Sequence, residues 1–334
     1  MSAASRPGSR AVCSAAASRK PASPAAAWRK PDIQRAGEKE WCYVSQKYTH
    51  PSCAEPRLWN TVNTECGKDE QSPINIVTNK VEYKGDLKPF TFEGYNTKQS
   101  SHWTIVNNGH TVKVSLSGSA KIGGGGLQNK YKAIEFHFHW GTKLSKGYSP
   151  GSEHSIDGER YTMELHIVHM KEDFSTTEQA VKDKEGLAVL GFFIKIGAKN
   201  ENYESLIEIL NEVAVKGSQK NMLSLPLQSL IPAKENLTHY YRYSGSLTTP
   251  NCYQSVVWTI FQEPIILSES QVTNFLEKLY FSENKTLQMT DNFRPVQPLS
   301  DRIVYRSDVS VVQPPAKALL VIPTLIYLMS LLFQ

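Results

Sequence analysis

The first 39 residues contain no continuous apolar run, and Cys13 to Ala17 is too short and too polar to form the core of a secretory signal. Rich in Ala, Ser, Arg and Pro, this segment cannot bury a core and reads as a disordered leader. Its Arg- and Ser-rich, acid-poor composition is closer to an organelle transit peptide, yet the rest of the chain argues for export. The expectation is therefore an alternative or misassigned first segment. A basic excess is also missing from the remainder. Of 37 basic and 32 acidic side chains, the leader holds eight and two, which leaves 29 and 30 for residues 40–334. No basic stripe remains for nucleic acid, and that class of partner is excluded. There is no internal repeat, and Gly123 to Gly126 is a loop, not a phosphate cradle, because no helix-starting Lys-Ser/Thr follows.

What is present reads as one large domain with appendages, and a hydrophobic content of 40% is ample for a core. Between about 70 and 265 the chain is mostly short runs of β-branched and aromatic residues, such as Thr111 to Leu116, Ala188 to Ile196 and Ser255 to Phe261, bounded by turn signals such as Asn108-Gly109. Two stretches read as helix. Tyr203, Leu206, Ile207, Leu210 and Val213 fall at helical spacing, and Ser268 with Gln271 forms a capping box ahead of Val272, Phe275, Leu276 and Leu279.

The densest signal is Glu135-Phe136-His137-Phe138-His139-Trp140. On a strand, successive side chains point to opposite faces. Glu135, His137 and His139 then share one face, and Phe136, Phe138 and Trp140 share the core face. Two imidazoles two positions apart can aim at one point, which suits tetrahedral zinc. A third ligand is available from Glu164-Leu165-His166-Ile167-Val168-His169, where Glu164, His166 and Val168 share a face. A lone strand histidine is ordinarily a hydrogen-bonded core or surface residue; the paired motif is what raises metal binding as a reading.

These two motifs, together with G-S-E-H-S-I-D at 151–157, G-L-A-V-L-G at 186–191 and G-S-L-T-T-P at 245–250, resemble in order and spacing the α-class carbonic anhydrases. The resemblance runs from about Trp41 to about Arg306, and is nearest to the membrane-anchored type IV-like or type XV-like members. It implies a mainly β (β-rich α+β) fold: one large twisted, mostly antiparallel β-sheet with short peripheral helices. It implies a lyase that hydrates carbon dioxide reversibly to bicarbonate by attack of a zinc-bound hydroxide. Zn2+ would be held by His137, His139 and His166. Three neutral imidazoles leave the ion its full double charge, so bound water ionises near neutral pH, a behaviour of which carbonic anhydrase is itself the standard example.

By the same resemblance Glu135, Glu164 and the Asn292 carbonyl orient the ligand rings of His137, His166 and His139 respectively. Thr248 orients the hydroxide and donates to Glu153. Val168, Val189, Leu247, Thr249, Val256 and Trp258 wall the substrate pocket. His110 is the proton shuttle, beside Asn108 and Tyr43 on the water path; a loop histidine after Asn-Gly would otherwise be a solvated bystander. Lys113 is expected to depress the His110 pKa through its charge.

Cys13, alone in the leader, reads as unpaired. Cys42, Cys53, Cys66 and Cys252 allow three pairings, and counting does not choose among them. The resemblance implies Cys42 with Cys53 and Cys66 with Cys252. Sequons at Asn236 and Asn284 agree with an exported chain. From Ala318 to Gln334 the chain is apolar, interrupted by Pro323 and without a basic flank, which reads as a GPI-attachment signal more than a spanning helix. The expected organisation is leader 1–39, catalytic domain 40–306 and attachment signal 307–334, with lipid on Ser307 and Ser310 as second choice. The expected location is the extracellular face of the cell membrane, as a monomer, with carbon dioxide and bicarbonate as ligands and bicarbonate transporters as partners. Two other classes compete: a carbonic anhydrase-like binding module, which would have lost ligands, and a secreted adhesion domain, which would need none of these groups.

Overall fold

In the computed structural model of the protein, residues 40–98 and 102–307 are described; the leader and the segment from 308 onward lie outside them. Fourteen strands occur among the described residues. The first six are β1 (Asn75–Ile76), β2 (Glu82–Tyr83), β3 (Phe90–Glu93), β4 (Trp103–Asn107), β5 (Val112–Ser115) and β6 (Lys121–Gly124). Next come β7 (Tyr131–Trp140), β8 (Ser155–Ile156), β9 (Met163–Lys171) and β10 (Leu187–Ile196). The last are β11 (Gln219–Met222), β12 (Tyr240–Gly245), β13 (Val256–Leu267) and β14 (Tyr305–Arg306). Twelve form one sheet in the order β11-β4-β5-β7-β9-β10-β13-β12-β14-β2, with β6 also on β7 and β3 on β6. Only β10–β13 and β14–β2 are parallel in it, so the mainly β, mostly antiparallel fold is as expected. A short parallel pair, β1–β8, stands apart.

The central strands β7, β9, β10 and β13 are buried on both sides, and two apolar clusters result. The larger takes Phe136, Phe138 and Trp140 from β7 and Leu165 and Ile167 from β9. The smaller takes Val168, Val189, Val256 and Trp258. Between Ala133 and Glu135 the β7–β9 register shifts by one residue. Tyr131 and Ala133 belong to the larger cluster, as do Phe136 and Phe138, whereas Ile134 packs on the smaller one. The extra residue of this bulge thus reverses the phase of the alternation. From Glu135 onward the faces are those the alternation predicts; upstream of it they are reversed.

Both predicted helical stripes are buried. Ser268 caps the helix Glu269–Lys278 reciprocally with Gln271, at 3.1 and 3.2 Å, and Phe275 packs against Phe138 with ring centroids 4.9 Å apart. The other stripe is a short α-helix, Glu204–Ile209, flanked by tight turns at Glu201–Tyr203 and Leu210–Val213. No helix among the described residues is long and apolar enough to cross a membrane.

Disulfides join Cys42 to Cys53 and Cys66 to Cys252. The second links positions 186 apart and ends four residues beyond Thr248. By chain entropy such a loop contributes about 5 kcal/mol as an upper figure. Selective reduction of Cys66–Cys252, or Cys66→Ala with Cys252→Ala, should lower the unfolding free energy by up to that amount in a denaturant titration. An unchanged midpoint would remove the bridge from the stabilising set.

Candidate metal centre

Strand β7 pairs with β9 so that His137 faces His166, and β5 pairs with β7 so that Lys113 faces His137. The register brings three imidazoles together, with ring centroids 5.1 Å (His137–His139), 5.3 Å (His137–His166) and 4.7 Å (His139–His166) apart. One ring nitrogen from each lies within 4.8 Å of the others. Each ring's other nitrogen is occupied. His137 Nδ1 lies 3.1 Å from Glu135 Oε1, His139 Nδ1 2.8 Å from the Asn292 carbonyl, and His166 Nε2 2.7 Å from Glu164 Oε1. An N–H given to an oxygen fixes the tautomer and leaves the opposite lone pair bare. The bare atoms are therefore Nε2 of His137, Nε2 of His139 and Nδ1 of His166. His139 Nε2 is buried and has no hydrogen-bond partner, a costly state that a metal ion would relieve. Burial, with His137 close by, lowers the His139 pKa to about 3. Burial also lowers that of His166 to about 4, against the pull of Glu164. Both rings are neutral at physiological pH, the form that ligates metal.

The carboxylates are held differently. Burial pushes Glu164 up, but His154 and His166 outweigh it and hold its pKa well below the usual carboxylate range. Its oxygens take N–H groups from the Glu153 and His154 backbone and both the His154 and His166 rings, at 2.7–2.9 Å. Burial raises the Glu153 pKa, opposed by His166, the Arg294 N–H and the Thr248 hydroxyl. Glu153 Oε1 accepts the Arg294 N–H at 2.8 Å, and Oε2 lies 3.3 Å from His139 Nε2. For Glu135 burial is again the largest influence, yet Lys113 and His137 together bring it down to about 2.

Val168, Val189, Val256 and Trp258 are buried side by side, with Leu247 packed at their edge. Trp258 sits with its ring centroid 4.8 Å from His166 and donates its N–H to the Ser246 carbonyl. Thr249 is half-buried in the following turn, its carbonyl taken by the Cys252 N–H at 2.7 Å. Ser307 lies on the edge of β12, exchanging hydrogen bonds with Tyr240 and donating to Thr238 O; Ser310 is outside the described residues.

His110 stacks on Trp41, centroids 3.8 Å apart and planes 14° from parallel. Burial first, and then the charge of Lys216, lower its pKa to about 3. This corrects the expectation for Lys113. Its Nζ is paired with Glu135 Oε2 at 2.9 Å, because β5 places it across from His137; the cation that acts on His110 is Lys216. Sequence reasoning also missed His154 and Arg294. His154 passes from Glu164 to the Tyr243 hydroxyl at 2.6 Å, and from there Ser72 leads to the Ser246 N–H. The Arg294 guanidinium binds Gln71 Oε1 and the Ser72 and Cys66 carbonyls. His154 stood inside a quoted motif, next to Glu153; Arg294 lies in an aperiodic segment with no local signal.

Three imidazoles whose unengaged ring nitrogens converge, set in a sheet beside an apolar wall, define the class of site that binds a metal ion and activates a small molecule next to it. The comparisons specify the class. Residues 54–308 match the family model of eukaryotic-type carbonic anhydrase. Carbonic anhydrase 4 of Oryctolagus cuniculus is 42% identical over 88% of this chain and 94% of that protein. Carbonic anhydrase 15 of Mus musculus is 37% identical over 80% and 83%, and carbonic anhydrase 12 of Homo sapiens 36% over 78% and 73%. The chain belongs to the eukaryotic-type carbonic anhydrase family. It is a carbonate dehydratase, a lyase acting on carbon dioxide and bicarbonate.

The stacked His110 carries a prediction. A histidine whose folded pKa is depressed adds stability that is present above its unfolded value near 6.5 and is lost as pH falls toward about 3. In an NMR titration the His110 imidazole should stay neutral from pH 8 to 5, and Trp41→Ala, by wetting the ring, should move its midpoint up. A wild-type midpoint near 6.5 would mean that the ring does not reside on Trp41.

Proposed function

We propose that the metal is zinc, held by His137 Nε2, His139 Nε2 and His166 Nδ1, and that the enzyme works by hydration of carbon dioxide at this centre. The observation that carries the reading is the convergence of three bare imidazole nitrogens within 4.8 Å, one of them buried without a partner. Zinc on three neutral nitrogens supplies Lewis acidity that makes water a nucleophile near neutral pH, with carbonic anhydrase as the standard example. The protein's own groups do the rest. Glu135, Glu164 and the Asn292 carbonyl hold the ligand tautomers. The Thr248 hydroxyl donates its hydrogen bond to Glu153, which obliges its oxygen to accept a hydrogen bond from the attacking water and so aims that water's lone pair. Glu153 can take that proton bond because the Arg294 N–H and Thr248 itself favour its charged form against burial. Val168, Val189, Leu247, Thr249, Val256 and Trp258 offer an uncharged, linear substrate a surface that water leaves readily.

His110 exports the proton. On Trp41 it cannot hold one at neutral pH, so it accepts after turning off the stack into water, where an imidazole titrates near neutrality. The domain is 40–306, after a leader at 1–39. The segment 307–334 directs GPI attachment at Ser307 and places the enzyme on the outer face of the cell membrane. Two disulfides suit an oxidising compartment, and the stretch from Ala318 to Gln334 is apolar and interrupted by Pro323.

His139→Ala should abolish stoichiometric zinc and hydration together. Thr248→Ala should keep zinc and lose about 2 to 3 kcal/mol of transition-state stabilisation, roughly a hundredfold in rate. Zinc content by elemental analysis with stopped-flow hydration checks both; full activity in either variant refutes its assignment. Phosphatidylinositol-specific phospholipase C on intact cells should release active enzyme, and retention of an uncleaved Phe333-Gln334 end would refute the anchor.

A further inference from the structure

Among the described residues, Lys113 is a charged neighbour of the three-histidine centre to which the proposed mechanism gives no task. It faces His137 across the β5–β7 pair, and its Nζ lies 2.9 Å from Glu135 Oε2. The second oxygen of the same carboxylate, Oε1, lies 3.1 Å from His137 Nδ1. Glu135 is thus held at both ends, by an ammonium on one oxygen and by a ligand ring on the other. We propose that Lys113 is a positioning residue for the metal centre: as the counter-ion of Glu135 it keeps that carboxylate on His137 and thereby fixes the ring that presents Nε2 to zinc. The inference rests on His137 being a zinc ligand.

The three ligand acceptors differ in what they need to stay in place. The Asn292 oxygen on His139 is a neutral backbone carbonyl, fixed with the chain. Glu164, on His166, is fully buried, and four N–H groups converge on its two oxygens. Glu135 has neither advantage. Its side chain is 20% exposed, that of His137 is 16% exposed, and the described residues give it two partners, Lys113 and His137. A carboxylate at the edge of water with a single imidazole N–H to bind gains by turning outward to be hydrated. The ammonium offsets that gain by binding the oxygen that the ring leaves free. Lys113 is itself 33% exposed, so the pair contributes little to overall stability; what it sets is orientation. A neutral amide at position 135 would carry no charge to be hydrated and would need no ammonium. Lys113 and Glu135 are therefore a functional unit in which the effect of one depends on the charge of the other.

That dependence is measurable as zinc release from the loaded protein into excess chelator. Lys113→Met, which keeps the apolar stem and removes the charge, should speed release on the order of tenfold, the low end of the loss seen when a ligand's hydrogen-bond partner is disturbed. Lys113→Arg should stay near the wild-type rate. In a Glu135→Gln background Lys113→Met should add nothing. A merely structural lysine would lower the melting temperature equally in both backgrounds and leave release unchanged, and that result overturns the proposal, as does equal acceleration in both. Wild-type protein that holds no zinc would overturn the metal assignment along with it, whereas zinc retained with release unaltered by Lys113→Met overturns this inference alone.

Discussion

Strand β7 has to satisfy two cores at once, and the one-residue register shift between Ala133 and Glu135 is how it does so. Upstream, Tyr131 and Ala133 face the larger apolar cluster; downstream, Phe136, Phe138 and Trp140 face it too. In a strand without the shift, one of those sets would point the wrong way. Burying each of the three aromatic rings is worth roughly 1.5–3 kcal/mol, so the phase downstream of the bulge is firmly held. Glu135, His137 and His139 receive their direction from that phase. The candidate metal centre is in this sense a consequence of core packing on the opposite side of the sheet: His137 and His139 cannot turn away unless the aromatic residues between them leave the core.

Around the three histidines, most buried polar groups are satisfied by one another. Glu164 gathers four donors, and one of them, His154, continues through Tyr243 and Ser72 to the backbone of Ser246. Glu153 is fixed by the Arg294 N–H, and the Arg294 side chain ties the segment of Cys66 to that of Ser72. An incomplete network of this kind costs more than an apolar core. Two orphaned atoms, His139 Nε2 and Glu153 Oε2, lie 3.3 Å apart on the side that faces the candidate metal position, next to the Thr248 hydroxyl. The disulfide from Cys66 to Cys252 closes the same region covalently.

Asn292 joins the centre to its entrance. Its carbonyl accepts from His139, its side-chain oxygen accepts the Trp140 N–H, and its amide donates to the His110 carbonyl. One residue thereby positions the His139 ring and the backbone of the proposed proton carrier. Toward the solvent side, His110 is held by stacking on Trp41, with burial first and Lys216 second lowering its pKa, whereas Glu135 is held by the charge of Lys113. Glu164, deep in the sheet, is fixed by converging N–H groups, whereas Glu135 at the edge needs a charge to stay in place, because water competes for it.

The alternation of Glu135 to Trp140 and Glu164 to His169 by itself determined which side chains share a face, since a strand has no other way to present them. The spacing of Ser268, Gln271 and the apolar stripe behind them likewise determined a capped helix, a purely local matter. Motif order was enough for the family. The bulge between Ala133 and Glu135 was not legible, because Ala133 and Ile134 are both apolar and either could face a core, so only competition between the two cores reveals the phase change. Three pairings of Cys42, Cys53, Cys66 and Cys252 were equally compatible with their number; the disulfides form where the folded chain brings them together. The roles of His154 and Arg294 depend on partners many positions away, and no local pattern encodes them. Lys113 shows the division most plainly. Its charge is written in the sequence, but whether that charge acts on His110 or on Glu135 is decided by the register of β5 on β7, and a register is a property of two strands meeting, not of either one alone.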